Sequence, residues 1–353
     1  MAEQGLTLIQ YLRKEQESRP EAVTDELIFL FEAIARACKQ ISWMVNQGAV
    51  AGVLGAVGGE NIQGEEVQKL DVLSHQVVLD LLGKTGLVSA FVSEESEEPI
   101  KSTPGAPFII AVDPLDGSSN INIDMCIGSI FSILPTPEGV SEVQTAHCLQ
   151  PGVRQLGSCF CIYGPATILV VTVKNGSHGF TLDHQTGEFY LTHPDFRISE
   201  QAKEFAINMS NWRFWEPPVR RYIRELLQGK EGPRGKDYNM RWIASFVAEV
   251  FRILVRSGVW TYPVDEKLKK RNLPGRLRLM YEANPMGLIV EQAGGLISTG
   301  REPILELQPE SIHQRVPIVL GSREEVERFV QLHKEWDEGR WQEEPHLRLL
   351  SVE

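Results

Sequence analysis

A mixed α/β fold built as two successive halves is the expectation for this 353-residue chain, and three observations carry it. Segments with apolar residues at helical spacing alternate with short β-branched runs. Gly, Asn and Pro turn signals bound those runs. A composition of 42% hydrophobic and 23% charged residues suits a globular protein with a sizeable core.

The first helix is expected over 24–47, with Thr24 as its cap and Leu27, Leu30, Phe31, Ile34 and Cys38 repeating at helical spacing. The glycine-rich stretch 48–59 ends it. That stretch holds a G-x-x-x-x-G spacing but no following Lys-Ser/Thr, so it is no P-loop. A second helical pattern covers 65–82, with Asp71 among its apolar positions. Residues 87–92 read as a strand running into Ser93-Glu94-Glu95, and 107–111 as a buried strand running into Val112-Asp113-Pro114-Leu115-Asp116-Gly117-Ser118-Ser119-Asn120. Further strands are expected at 127–134, 157–163, 167–173 and 188–192, with turns at Asn175-Gly176 and Thr186-Gly187.

His193-Pro194-Asp195 starts a junction, which places an N-terminal domain at 1–197, a C-terminal domain at 198–333 and a peripheral polar tail at 334–353. The second half reads as a strand at 206–209, a helix at 219–228, a charged loop at 230–237, a helix at 243–257 and a strand at 259–262. A basic loop at 267–271, a strand carrying Arg276 and Arg278, a helix at 284–293, a strand at 317–320 and a helix at 323–333 complete it.

The net charge of −12 disfavours nucleic acid or an anionic membrane surface as partner. No apolar run reaches the ~18 residues of a membrane-spanning helix. The start lacks a basic region followed by an apolar one, so no secretory signal is expected and the chain reads as cytoplasmic. Cys38, Cys126, Cys148, Cys159 and Cys161 form no paired C-x-x-C set and read as core thiols.

The chemistry concentrates at 112–120. Asp113 and Asp116 suit hard divalent cations, which take oxygen ligands, and Gly117-Ser118-Ser119 offers backbone N–H groups to an anion at a helix start. Cation and phosphate sites thus meet within a few residues, as metal-assisted phosphoryl transfer requires. Glu94, Glu95 and Glu282 also fall at expected strand ends, while Glu65 and Asp71 come from the preceding helical segment. The second half supplies Arg241, Arg276 and Arg278, whose planar forks suit phosphate oxygens. Together the halves suggest a substrate with two phosphates.

From about Thr7 to His333 the chain resembles class I fructose-1,6-bisphosphatase, of the metal-dependent sugar-phosphatase superfamily. The resemblance rests on LDVLS at 70–74, VSEE at 92–95, VDPLDGSSNI at 112–121, LRLMYEANPM at 277–286, EQAGG at 291–295 and IHQRVPIVLGS at 312–322. It implies a five-layer α-β-α-β-α fold assembled as a homotetramer, and Mg²⁺-dependent hydrolysis of the 1-phosphate of fructose 1,6-bisphosphate. Two or more Mg²⁺ per subunit are implied, with Mn²⁺ as a substitute.

Carried over residue by residue, Glu94, Asp113, Asp116 and Glu282 ligate the metal together with the Leu115 carbonyl, and Glu65 serves an additional metal position. Asp71 and Glu95 orient and deprotonate the attacking water. Asp116, Gly117, Ser118 and Ser119 hold the 1-phosphate. Asn208, Tyr262 and Arg241 match the 6-phosphate side, Arg241 entering the neighbouring subunit's site. Asn211 and Trp242 replace tyrosines of animal enzymes, and Arg276 replaces a lysine. In the effector region of animal enzymes Thr24 and Glu26 match, but Pro107, Phe108 and Pro135 replace lysine, tyrosine and arginine, which implies weak or no AMP inhibition. The cysteine-bearing insertion of plastid enzymes is absent. The alternatives are a dual enzyme that also accepts sedoheptulose 1,7-bisphosphate, with discrimination around Asn208, Asn211, Trp242, Phe246 and Arg276, and a catalytically silent sugar-phosphate-binding regulator.

Overall fold

Thr7 and Thr24 each accept a backbone N–H in their side-chain oxygen, and these caps start α1 (Leu8–Ser18) and α2 (Asp25–Gln47). The structure, a computed structural model, describes residues 5–51, 55–60 and 66–340. The first half continues through β1 (Ala56–Glu60), β2 (Glu66–Gln68), α3 (Lys69–Gly83), β3 (Val88–Ser93), β4 (Ile100–Lys101), β5 (Phe108–Asp116) and β6 (Ile127–Pro135). Then come α4 (Thr145–Cys148), β7 (Gly157–Tyr163), β8 (Thr167–Thr172), β9 (His178–Asp183) and β10 (Glu188–His193). The second half holds β11 (Glu204–Ala206), α5 (Pro217–Leu227), β12 (Asn239–Met240), α6 (Phe246–Arg256), β13 (Val259–Tyr262) and α7 (Glu266–Lys270). It ends with β14 (Leu277–Arg278), α8 (Asn284–Gln292), β15 (Leu296–Ser298), β16 (Arg315–Val316), β17 (Ile318–Gly321) and α9 (Arg323–Asp337).

Eight strands form one sheet in the order β10-β9-β8-β7-β6-β5-β3-β4, and five form another in the order β12-β11-β13-β17-β15. In the larger sheet β3 and β5 pair in parallel and the other neighbours are antiparallel. Side chains alternate between the two faces of a strand, and β7 shows what that achieves. Cys159 and Cys161 enter the core beneath α1, α2 and α3, whereas Phe160 and Ile162 enter the core shared with α6 and α8. Those two helices also meet Ala206, Trp260, Ile318 and Leu320 of the smaller sheet. The far face of that sheet, with Phe205, Val259 and Val319, packs on α5 and α9. The order is helices, sheet, helices, sheet, helices: the five-layer α/β arrangement that the resemblance implies.

Several local expectations change. The helix expected over 65–82 starts only at Lys69, because the Asp71 carboxylate accepts the Gln68 N–H and fixes the helix start there. The basic stretch 267–271 is largely helical rather than looped, since Asp265 accepts the N–H groups of Lys267 and Leu268. The strand expected around 276–281 lasts two residues and gives way to a π-helical turn, Leu279–Ala283. The strand expected at 206–209 sits at Glu204–Ala206. The helix at the end runs on to Asp337, so residues 334–337 belong to the folded body, and Arg301 pairs with Asp337 at 2.7 Å. Four of the five cysteines are buried and Cys126 is half-buried; all are free thiols.

Candidate active site

Asp113 and Asp116 are three residues apart, a spacing that would send them to opposite faces of a regular strand. The structure resolves this with a bulge. Asp113 lies opposite Ile130, and Asp116 lies opposite Gly128, so three steps along β5 match two along β6. Both carboxylates therefore reach the same face. The expectation that they leave the strand's end is corrected accordingly, as β5 continues through them to Asp116. Pro114 is tolerated at the bulge, where its carbonyl accepts the Ser129 hydroxyl at 2.7 Å, and the Leu115 N–H donates to Asp113 Oδ1 at 3.0 Å.

Gly128, opposite Asp116, marks where α6 crosses the sheet. A Cβ there would stand 2.2 Å from the Cys161 carbonyl oxygen and 2.8 Å from a Val247 methyl. This close approach lets the Val247 N–H, in the first turn of α6, donate to Asp116 Oδ2 at 2.9 Å, so the carboxylate caps a helix from another segment. Gly128→Ala is expected to lower stability by about 2 kcal/mol, read as a reduced denaturation midpoint at unchanged m-value.

Gly117 has φ +78°, the left-handed region that favours glycine, and passes the chain into a short 3₁₀ turn, Ser118–Ile123. The helix expected after Gly117 is this six-residue 3₁₀ segment. Asn120 ties it to the second half by donating to the Ala244 carbonyl at 2.8 Å.

Glu282 comes from the π-helical turn, a geometry often found at functional sites. Leu279 and Ala283 sink into the middle core, Met280 and Tyr281 into the core beside β3 and β5, and Glu282 is left facing the carboxylates. Oxygen atoms of Asp113, Asp116 and Glu282 lie within 4.8 Å of one another. Arg278 lines the same cavity as Arg276 and lies buried beside these acids, 2.7 Å from Glu94 Oε1 and 3.8 Å from Glu282 Oε2. The short strand and the π turn after it account for that placement.

The electrostatics fit a cation. Burial and then repulsion from Glu94, Asp116 and Glu282 push the Asp113 carboxyl well above its usual range. Burial raises Asp116 to about 6 against the opposing Val247 N–H, and Glu282 to about 8 against the opposing Arg278 charge. Four buried acids cluster here with one arginine, which pairs with Glu94 and Glu282, and all four offer hard oxygen donors. A divalent ion would relieve both the desolvation and the mutual repulsion.

A cavity of about 490 Å³ opens over this cluster. Asp71, Glu94, Glu95, Asp113, Leu115, Asp116, Gly117, Ser118, Ser119 and Glu282 line it on the acidic side, with Arg278. Asn208, Trp242, Tyr262 and Arg276 line it in the second half. Two expected residues lie outside. Asn211 accepts a hydrogen bond from Lys267 Nζ at 2.8 Å in an adjoining cleft, and Arg241 points to Glu204 at 3.6 Å with its side chain about half exposed. Glu65 lies outside the described residues. Sequence reasoning missed Gln68, Ser245 and Trp260 in the wall. Ser245 falls inside the helix expected over 243–257, whereas the structure starts that helix at Phe246 with Ser245 at its N-cap position; nothing local marks the other two.

Sequence models of the two families described as Fructose-1-6-bisphosphatase, N-terminal domain, and Fructose-1-6-bisphosphatase, C-terminal domain, match residues 6–194 and 198–334. The chain belongs to the fructose-1,6-bisphosphatase family. Members of this family are metal-dependent phosphoric monoester hydrolases. The fructose-1,6-bisphosphatase class 1 of Halorhodospira halophila is 52% identical over 336 residues, covering 94% of this chain and 99% of that one. That of Hydrogenophilus thermoluteolus is 52% identical over 335 residues, covering 94% and 92%. A crystal structure of Leishmania major fructose-1,6-bisphosphatase in holo form superposes with a TM-score of 0.86 at 34% identity, covering 94% of this chain and 99% of that one. Within the family's fold, the bulge in β5 and the π turn at Glu282 are the two irregularities that build the acidic cluster.

Proposed function

We propose that the chain hydrolyses the 1-phosphate of fructose 1,6-bisphosphate, giving fructose 6-phosphate and phosphate. The observation that carries this reading is the two-sided cavity, with clustered carboxylates on one wall and Arg276, Asn208 and Tyr262 on the other. One wall suits a metal-bound ester and the other a remote phosphate.

Asp113, Asp116 and Glu282, with Glu94 and the Leu115 carbonyl, would hold Mg²⁺, or Mn²⁺ in its place. The bound cation neutralises phosphoryl charge and acidifies water. Ser118 and Ser119 hold the phosphoryl oxygens after the left-handed turn at Gly117. Asp71 Oδ2 is fixed by the Gln68 N–H at 2.9 Å, and Oδ1 is assigned with the Glu95 carboxylate to orient water and take its proton. Water attacks phosphorus, the ester P–O bond breaks, and the sugar 1-oxygen leaves with a proton. Arg276 anchors the far phosphate, so binding energy there positions the reacting ester. The half-exposed Arg241 is assigned to a neighbouring subunit's site in a homotetramer. No helix among the described residues is long and apolar enough to cross a membrane. The enzyme is assigned to cytoplasmic carbohydrate metabolism, in gluconeogenesis or a Calvin-type pathway.

The test is phosphate release from fructose 1,6-bisphosphate and sedoheptulose 1,7-bisphosphate side by side, with and without Mg²⁺. A Mg²⁺-dependent preference for the first supports the reading. Equal kcat/KM for both makes this a dual enzyme, a reading favoured by Trp242 and Arg276 in the cavity wall. No release from either, with binding intact, leaves a sugar-phosphate-binding regulator. Arg276→Ala is expected to raise KM by about 30-fold, through loss of a charged hydrogen-bond donor to phosphate.

A further inference from the structure

Glu94 and Glu95 sit on a turn between β3 and the following loop, and nothing in their own sequence explains how that turn is held. Its start is anchored by the Glu94 N–H, which donates to the Val112 carbonyl at 3.1 Å, next to Asp113. Two histidines grip the turn from opposite sides. His75 lies one helical turn after Asp71 on α3, and its Nδ1 is 2.9 Å from the Ser93 hydroxyl, which also accepts the Glu95 N–H at 3.3 Å. His313 reaches the other end. Its Nε2 donates to the Ser96 carbonyl at 3.0 Å, and its Nδ1 lies 2.9 Å from the hydroxyl of Tyr281, the residue before Glu282.

A carbonyl can only accept, so Nε2 of His313 carries a proton. Burial lowers the pKa of both rings, which keeps His313 neutral and leaves Nδ1 to accept the Tyr281 hydroxyl proton. Tyr281 is fully buried in the core beside β3 and β5, so its hydroxyl is a fixed reference point.

We propose that His75 and His313 are a pair of positioning residues that lock the Glu94–Glu95 turn to the elements carrying Asp71 and Glu282. One histidine sets the distance between Asp71 and Glu95, the pair assigned to water. The other sets Glu94 against Glu282 across the metal cluster. The proposal rests on the hydrolytic reading above and deepens it, since neither histidine lines the cavity.

The test pairs steady-state kinetics with amide hydrogen exchange of the metal-free protein. His75→Leu and His313→Leu are expected to lower kcat about tenfold with KM within about twofold, because the reacting groups are misplaced while the far phosphate site is untouched. Both are expected to speed exchange over residues 94–97. His75→Asn keeps a polar atom near the Nδ1 position and is expected to restore kcat and protection, which a merely space-filling role would not do. Unchanged exchange over 94–97 in both leucine variants overturns the clamp, as does an Asn variant no better than Leu. Should His313→Leu fail to fold, the half-buried His75 pair decides alone. A wild-type protein that releases no phosphate refutes the hydrolytic reading, and the exchange data still judge the clamp.

Discussion

Asp116→Asn removes turnover, with kcat falling about 10³-fold at saturating Mg²⁺, because roughly 4 kcal/mol of metal-dependent stabilisation is lost from the transition state. Asp116 has two jobs in the structure: one oxygen caps α6 through the Val247 N–H, and the carboxylate shares the cluster with Asp113 and Glu282. The two are separable by comparing substitutions. Asparagine keeps a carbonyl oxygen for the helix cap, so its metal-free form is expected to melt at or above wild type, freed of a buried charge. Asp116→Ala loses the cap as well and is expected to be destabilised by about 1–2 kcal/mol. Isothermal titration with Mg²⁺ and a phosphate-release assay check the first effect, and thermal melts in chelator check the second. Near-normal kcat in Asp116→Asn would overturn the metal assignment.

The second large effect is a coupling between pH, metal and stability. Asp116 is raised to about 6 and Glu282 to about 8 in the folded, metal-free chain, above the values these side chains have when unfolded. Between those limits the folded state holds more protons than the unfolded one, so stability falls as pH rises, by about 1.4 kcal/mol per pH unit for each proton retained. From pH 6 to pH 8 these two groups are therefore expected to cost the metal-free protein about 3 kcal/mol, most of it from Glu282, or several degrees of melting temperature. A divalent cation binds the deprotonated carboxylates, so its stabilising effect is expected to be larger at pH 8 than at pH 6. Melting curves in chelator and in Mg²⁺ at both pH values measure this directly. A metal-free Tm that rises from pH 6 to pH 8 would contradict the buried-carboxylate account.

Most of the layered fold was legible because its signals are local. Strands such as β6 and β7 are mostly apolar runs buried on both faces, and α2 carries its own cap and its own apolar stripe. The acidic residues were legible as a set because the chemistry requires hard oxygen donors beside an anion turn. Their geometry was not. The spacing of Asp113 and Asp116 is explained only by the bulge against β6, which is a property of two strands together. Arg278 reads as a phosphate ligand by residue type, yet it is drawn into the carboxylate cluster once the strand stops at two residues and the π turn begins. The helix at 266–270 was hidden behind a run of lysines, since its start depends on one acceptor, Asp265. Elements whose cause lies in a partner strand or a single cap are those that composition and periodicity cannot locate.

The middle pair of helices, α6 and α8, lines one core with residues from both sheets. Cleaving the chain before β11 would strip Ile130, Phe160 and Val170 of their cover in one fragment, and leave bare in the other the faces of α6 and α8 that meet them. Neither fragment would keep a dry interior. For anyone building chimaeras between relatives, the practical unit of exchange is therefore the helix pair with the surfaces on both its sides, and a crossover point chosen at the chain's midpoint junction would cut through the shared interior.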